Sequence, residues 1–499
     1  MNMRMSIDGS ICAYDVKTST FYYPISTNIA DGDIHKFCIT FGVEGEKIYI
    51  NNDKIVESSN IKVKLNKPYK VKVVVNSCTH NFNLILTRLP TVMLMPCSNI
   101  TKEDTESILL VNDPNYKANK NIYSQITSNA IVSIRGQTSS KFAKKSYKLR
   151  LTDDNGLEIN YPLVGMRNDG DWILDAMFND FSRMRKKVLM ELWSDMSTVY
   201  YDNTVSNGVN SEYVEVFIND EYQGLYLLRE RVDRKQLHLE DNKEGTCGGI
   251  IYKGYNWGSD GKRVSTLNDA PPAPQNAPRW GGIESVYPQP QHVKSVNWKP
   301  FHDLAKLVVE ADDAGFINEI GNTIDYDNIA EYFIFVNLLK AGDNMGKNII
   351  WSIKDTSNSK CSKLMITPWD LDTTMGRDWK NREVNSEAML YNNLFRRLIE
   401  LNPDSFIERV QSKWFLLRQD LLTIENLQGR YEAEQEVLCT SGALDRESNR
   451  WSEYLVDNGQ SGEVEFKPLD VVAEVDYIFR WTADRLEYLD EQIKLLDEK

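Results

Sequence analysis

Asp343 and Asn348 lie five residues apart in the run Gly342-Asp343-Asn344-Met345-Gly346-Lys347-Asn348, and Pro368-Trp369-Asp370-Leu371-Asp372 follows at close range. This order of acid, amide and acid suits phosphoryl transfer. Such chemistry needs little covalent help from the protein; it needs positioning and neutralisation of phosphate charge. A hard divalent cation such as Mg²⁺ or Mn²⁺ takes carboxylate and amide oxygens along with phosphate oxygens. A separate carboxylate must orient the acceptor hydroxyl and receive its proton. Asp343 is the candidate base. Asn348 and Asp370 are candidate metal ligands, and Asp372, two residues on, faces the same side if the strand continues. Each feature taken singly is also an ordinary turn residue; the combination carries the expectation.

Cations are expected on an earlier strand. In residues 146–151, Tyr147, Leu149 and Leu151 face one way, while Lys148 and Arg150 face the other. Either could meet the phosphates of ATP, and an exposed strand face explains them equally well. The preceding loop, Arg135-Gly136-Gln137-Thr138-Ser139-Ser140-Lys141, offers backbone N–H groups and the Ser139 and Ser140 hydroxyls to phosphate. Its single glycine makes it neither a Walker loop nor a kinase Gly-rich loop. Glu230 follows a strand where a kinase hinge would meet adenine. Glu191 is a candidate partner for Lys148, although a surface acid is the better expectation.

The elements that would position these groups are legible from periodicity. A helix is expected over 181–196, with Met184, Val188, Leu189 and Leu192 on one face and Asn179 or Asp180 as its cap. A hairpin is expected at 213–217 and 224–228, turning at Asn219-Asp220-Glu221. Helices are expected near 300–312 and 327–340, the second closed by Gly342. A further hairpin joins 347–354 to 362–367. From about 385 onward the chain reads as helical. Six of the sixteen prolines fall between 271 and 290, so 258–297 reads as a long loop, either a lid or a disordered insertion.

Residues 1–95 read as a small all-β, sandwich-like domain of short alternating runs with no chemistry of its own. The fold class expected for the whole is α+β. The division expected is 1–95, then 96–499 with an N-lobe at about 105–255 and a C-lobe at about 298–499. With 499 residues and a net charge of −14, the chain is no obvious partner for nucleic acid. No apolar run reaches the roughly 18 residues of a membrane helix, and no signal peptide is expected behind Met1-Asn2-Met3-Arg4-Met5. The seven cysteines show no metal-binding spacing and are expected to be single buried thiols.

Several stretches together resemble the CotH family, the spore-coat protein H-like atypical protein kinases. They are Arg135-Gly-Gln-Thr-Ser-Ser, Lys144-Lys-Ser-Tyr-Lys-Leu-Arg-Leu151, Gly170-Asp-Trp-Ile-Leu174 with Asn179, Asp180 and Arg185, the segment 214–230, Gly248-Gly249, Asp343, and 368–372. The similarity covers roughly 90–495. It implies a two-lobed, protein-kinase-like fold that uses ATP and divalent metal to phosphorylate Ser or Thr of a protein substrate. By motif position, Asp343 takes the catalytic acid's place and Asp370 the metal ligand's, while Lys148 shares its motif with Lys145 and Arg150. The resemblance also implies a secreted or cell-surface setting and leaves the β region before 90 outside the match, as a possible dock for a partner protein or polymer. Two alternatives stay open: an inactive surface adhesion module on the same fold, and a transferase that moves AMP.

Overall fold

The computed structural model describes residues 4–56, 58–120, 123–137, 139–242, 247–257, 263–451 and 470–498. Thr138, the start of the proline-rich loop at 258–262, and residues 452–469 of the expected helical part lie outside them. The fold is mixed α and β, with a β-rich N-terminal region and a helical C-terminal part. The chain forms two compact units. One gathers Met1–Phe178, Asn210–Glu230 and Ala433–Leu469; the other gathers Asn179–Val209, Arg231–Glu432 and Asp470–Lys499.

In the first unit the N-terminal β region builds a six-stranded sheet with Tyr69–Val75 and Cys78–Thr87 at its centre, plus one three-stranded and one two-stranded sheet. The alternation along Tyr69–Val75 buries Val71, Val73 and Val75 against Ile48, Ile50, Leu84 and Leu86. Seven strands then close a barrel: Thr91–Pro96, Thr105–Asn112, Gln125–Arg135, Ser146–Thr152, Asp171–Asp175, Glu221–Arg229 and Ser211–Ile218. Thr91–Pro96 pairs parallel with Ser211–Ile218 to complete it, so the barrel starts upstream of 105. As the pattern required, Tyr147, Leu149 and Leu151 are buried in the barrel core, while Lys148 and Arg150 lie half-buried on the other face.

The second unit holds a five-stranded antiparallel sheet in the order Arg279–Trp280, Ile283–Tyr287, Ile250–Gly254, Ile349–Ile353, Met365–Pro368. Its helices are α1 (Arg185–Met196), α2 (Lys299–Val309), α3 (Asp313–Thr323), α4 (Tyr326–Leu339), α5 (Asn393–Leu401) and α6 (Phe406–Leu417). The later helices are α7 (Ile424–Thr440), α8 (Ala443–Trp451), which packs on Glu221–Arg229 within the first unit, and α9 (Val471–Lys494). The fully apolar face of α4 is matched by burial nearly all round it.

Four expectations change. Three helices, not two, occupy 299–339; Asp312 caps the unexpected α3 by accepting from the Gly315 N–H at 2.8 Å. The left-handed residue ending α4 is Lys340 (φ 50°), not Gly342, which instead opens a 3₁₀ turn. The described part of the proline-rich stretch is no simple loop, because Arg279–Trp280 and Ile283–Tyr287 extend the sheet. Of the cysteines only Cys12 is buried; Cys38, Cys78, Cys97, Cys247 and Cys439 are exposed because they sit at strand ends, turns and a helix surface.

Candidate active site

The order helix, turn, strand, strand, acid is realised within the second unit. After α4, the turn Gly342–Met345 carries Asp343. Its main-chain oxygen accepts from the Lys347 N–H, and the Lys347 Nζ stands 3.5 Å from the Asp343 carboxylate. Asn348 follows with φ 55°, and Asp370 at the far end of the returning strand has φ 56°. Both occupy the left-handed region, which Asn and Asp tolerate better than other side-chain-bearing residues; the strand ends at Pro368, so it does not continue through Asp370 and Asp372 as the alternation expected. The hairpin pairs Ile349 with Pro368, and one step beyond that register the Trp369 N–H donates to the Asn348 carbonyl at 2.9 Å.

Asn344 locks this junction. Its side-chain N–H₂ donates to the carbonyls of both Asn348 (2.8 Å) and Trp369 (2.9 Å), and its own carbonyl accepts from the Tyr332 hydroxyl on α4. Asn344 is almost fully buried, so these bonds form away from competing water. The backbones bearing Asp343, Asn348 and Asp370 are thereby tied together. The Asn348 side-chain amide makes no hydrogen bond among the described residues.

A lysine that the sequence reading missed completes the acidic end. Lys186, in the first turn of α1, places Nζ 2.7 Å from Asp370 and 3.4 Å from Asp372. Helix α1 begins Arg185-Lys186-Lys187 with no acid in its first turn. Cations at a helix N-terminus oppose the macrodipole by a few tenths to about 1 kcal/mol each, so external carboxylates must offset them. Arg185 bonds Asp180 at 2.8 Å and Glu474 of α9 at 2.6 Å, and its Nε donates to the Thr374 carbonyl. Burial alone would lower the Arg185 pKa; Asp180 and Glu474 outweigh it and hold the guanidinium above its ordinary value. Asp180 also accepts the Arg185 N–H at 2.8 Å, but neither Asn179 nor Asp180 is the cap: the helix begins later than 181, and its N-cap is Met184, which makes no side-chain cap hydrogen bond. Lys187 pairs with Glu191 one turn on, at 2.7 Å, which gives Glu191 a partner on its own helix. Three consecutive cations where acids are favoured were the available signal for this cluster.

The remaining candidates belong to the first unit. Lys148 is half-buried opposite Ser133 and Ile173, and Arg150 stands 3.7 Å from Asp171. Arg135 stands 3.9 Å from Asp175, which Arg229 also approaches. Gly136 turns the loop with φ +96°; a Cβ there would fall 2.0 Å from the Ser139 Oγ. Ser139–Lys141 forms a 3₁₀ turn, and the Ser140 hydroxyl donates to the Gln137 carbonyl. Lys144 is wholly buried: it pairs with Glu447 of α8 at 2.7 Å, donates to the Leu225 carbonyl and lies 4.4 Å over the Tyr226 ring. Lys145 donates to the carbonyls of Ser140 and Phe142. Glu230 is buried, with its two carboxylate oxygens accepting from the Arg167 and Asn210 N–H groups at 3.0 Å each.

Among the described residues no group of three or more His, Cys, Asp or Glu is arranged to hold a metal ion. Asp370, Asp372 and Asn348 supply two carboxylates and an amide oxygen. These are hard-oxygen donors of the kind a magnesium-type cation takes.

A family model described as CotH kinase protein matches residues 132–489, well over half of the chain. The chain belongs to this family. The match contains Asp343, Asn348, Asp370, Asp372 and Lys186, and it excludes the N-terminal β region and the first two barrel strands. No curated protein matches the chain.

Proposed function

We propose that the protein is a phosphotransferase of two-lobed, kinase-like organisation that passes the γ-phosphoryl group of ATP to a Ser or Thr hydroxyl of a protein acceptor. The observation that carries this reading is the junction held by Asn344, where Asp343, Asn348 and Asp370 project from one hydrogen-bonded backbone. Asp343 orients the acceptor hydroxyl and takes its proton as the new O–P bond forms and the bond from phosphorus to the ADP oxygen breaks. Asn348, Asp370 and Asp372 would hold Mg²⁺ or Mn²⁺, which when bound neutralises phosphate charge. Lys186 fixes the two carboxylates at this end. Lys148, Arg150, Arg135, Ser139 and Ser140 stand as the phosphate contacts. Glu230, anchored by two backbone N–H groups, starts the segment assigned to adenine. The N-terminal β region as a dock for a partner protein or polymer, and a secreted or cell-surface setting, belong to the same proposal. No helix among the described residues is long and apolar enough to cross a membrane.

Intact-mass analysis after incubation with ATP and Mg²⁺ or Mn²⁺ tests it. Gain of one phosphate supports the reading, gain of AMP replaces it with nucleotidyl transfer, and no gain on the chain or on added protein leaves a binding module. Asp370→Ala should abolish metal-dependent nucleotide binding. Asp343→Ala should keep binding and lose transfer by about 10²–10⁴-fold; full transfer in that variant would remove Asp343 as the base.

A further inference from the structure

Beside the Asp343 turn, within the same compact unit, lies a cavity of about 370 Å³. This volume is within the range of sites that hold small ligands or side chains. Met345, the last residue of the turn that carries Asp343, forms part of its wall, with Thr266 and Asn268 on one side and Tyr391 and Asn392 on another. Its walls are tied to one another. The Asn392 side chain donates to the Met345 carbonyl and accepts from the Phe395 N–H as the cap of α5. Asn393 bonds Asn268 through both main chain and side chain. Gly346 presses on Thr266 so closely that a Cβ would sit 2.4 Å from the Thr266 Cγ2. The cradle is therefore built, and it is registered to the turn that holds the proposed base.

The lining chemistry selects the occupant. Among the described residues that line it there is no acid and one cation, Arg263. Nearby Arg279 faces Glu284 and stacks on Tyr255. Arg263, by contrast, is exposed, and its guanidinium has no carboxylate partner among the described residues; only its backbone N–H meets Asp269. Trp257, at the same cavity, is 41% exposed, leaving an indole face for an aliphatic stem. On a protein of net charge −14, an arginine with no carboxylate partner among the described residues gives a positive charge to a cavity otherwise lined by aromatic, amide and other uncharged side chains.

We propose that this cavity recognises an acidic side chain of the acceptor protein, close in sequence to the phosphorylated residue; the inference rests on the phosphotransfer reading above. A 3₁₀ turn rises roughly 2 Å per residue, so Met345 lies about 4 Å along the axis from Asp343. An extended chain advances roughly 3.3 Å per residue. A hydroxyl at Asp343 thus places a residue about one or two positions away at the cavity. Arg263 meets its carboxylate, and Asn268 and Asn392 offer further amide donors.

The test uses the full chain with ATP and Mn²⁺ on Ser peptides that carry Glu, Gln or Lys at each position flanking the acceptor. The expected result is a lower KM for Glu over Gln at one position, about three- to fivefold, the scale of a half-exposed ion pair. Arg263→Gln should erase that preference and Arg263→Glu should turn it toward Lys, a reversal that loss of folding cannot mimic. Transfer with no acidic preference overturns the inference, as does a preference that Arg263→Glu leaves in place, or a chain that phosphorylates itself and no peptide. If no phosphate reaches the chain or any peptide, the phosphotransfer reading has failed and this inference falls with it.

Discussion

Two lysines in the family-matched part of the chain meet acids in opposite ways. Lys144 and Glu447, in the first unit, have side chains 0% and 1% exposed, and the ammonium meets a carboxylate, a carbonyl and a ring. Lys186, in the second unit, is 8% exposed, but Asp370 and Asp372 beside it are 39% and 19% exposed. A charge pair withdrawn from water has to be complete, because removing one member leaves the other stranded. A pair open on its acidic side can exchange partners at little cost. The first arrangement suits a fastening of α8 to the barrel. The second leaves carboxylate oxygens partly in contact with solvent.

The largest effect should come from closing this contrast at its buried end. Lys144→Met removes the cation facing buried Glu447 in the first unit and should lower stability by about 3–5 kcal/mol, read as a shift in the denaturant midpoint. A loss under about 1 kcal/mol would mean that the pair is not isolated from solvent. Next comes Lys186→Gln. It should cost about 10- to 100-fold in phosphate transfer or Mn²⁺ affinity, the usual toll of removing a group that orients metal ligands. Its stability should change by no more than about 1 kcal/mol, since the acids it leaves remain hydrated. Destabilisation as severe as that of Lys144→Met would erase the distinction between the two lysines.

The smallest effect sharpens it. Lys145 adjoins Lys144 but donates only to carbonyls, and burial lowers its pKa below the ordinary 10.5. A lysine with a depressed folded pKa binds its proton more weakly in the native state, so it penalises folding while charged. Stability should therefore rise slightly as pH climbs from the lowered value toward 10.5, and Lys145→Gln should lose that rise. Urea midpoints of the two proteins across that window would show it; parallel curves would mean that Lys145 is as well solvated folded as unfolded.

Much of the candidate site could be read along the chain because its parts are local. Asp343, Asn348 and Asp370 flank the open end of one hairpin, and strand alternation put Lys148 and Arg150 on the side away from the core. Lys186 escaped because its partners lie far downstream, and no local rule pairs a helix start with a distant strand end. Asn344 stood inside the recognised run, yet nothing in its type foretold that its amide would span two carbonyls. Asp312 was a cap signal, but Gly315 and Gly321 in the stretch after it lower its helix propensity, and α3 was lost with them. Gly342 drew the cap assignment on composition, while the packing of α4 placed Lys340 in the left-handed position instead.

The Asn344 carboxamide has a kinetic corollary. Loop amides ordinarily trade their hydrogens for deuterium within seconds to minutes, because small local openings suffice. The Trp369 amide, though it lies past the last paired residues of its strand, is fastened to the one carbonyl that Asn344 also grips. Its exchange should thus await a wider unfolding of the second unit, giving a slow probe at the mouth of the hairpin, where a fast one would ordinarily be found.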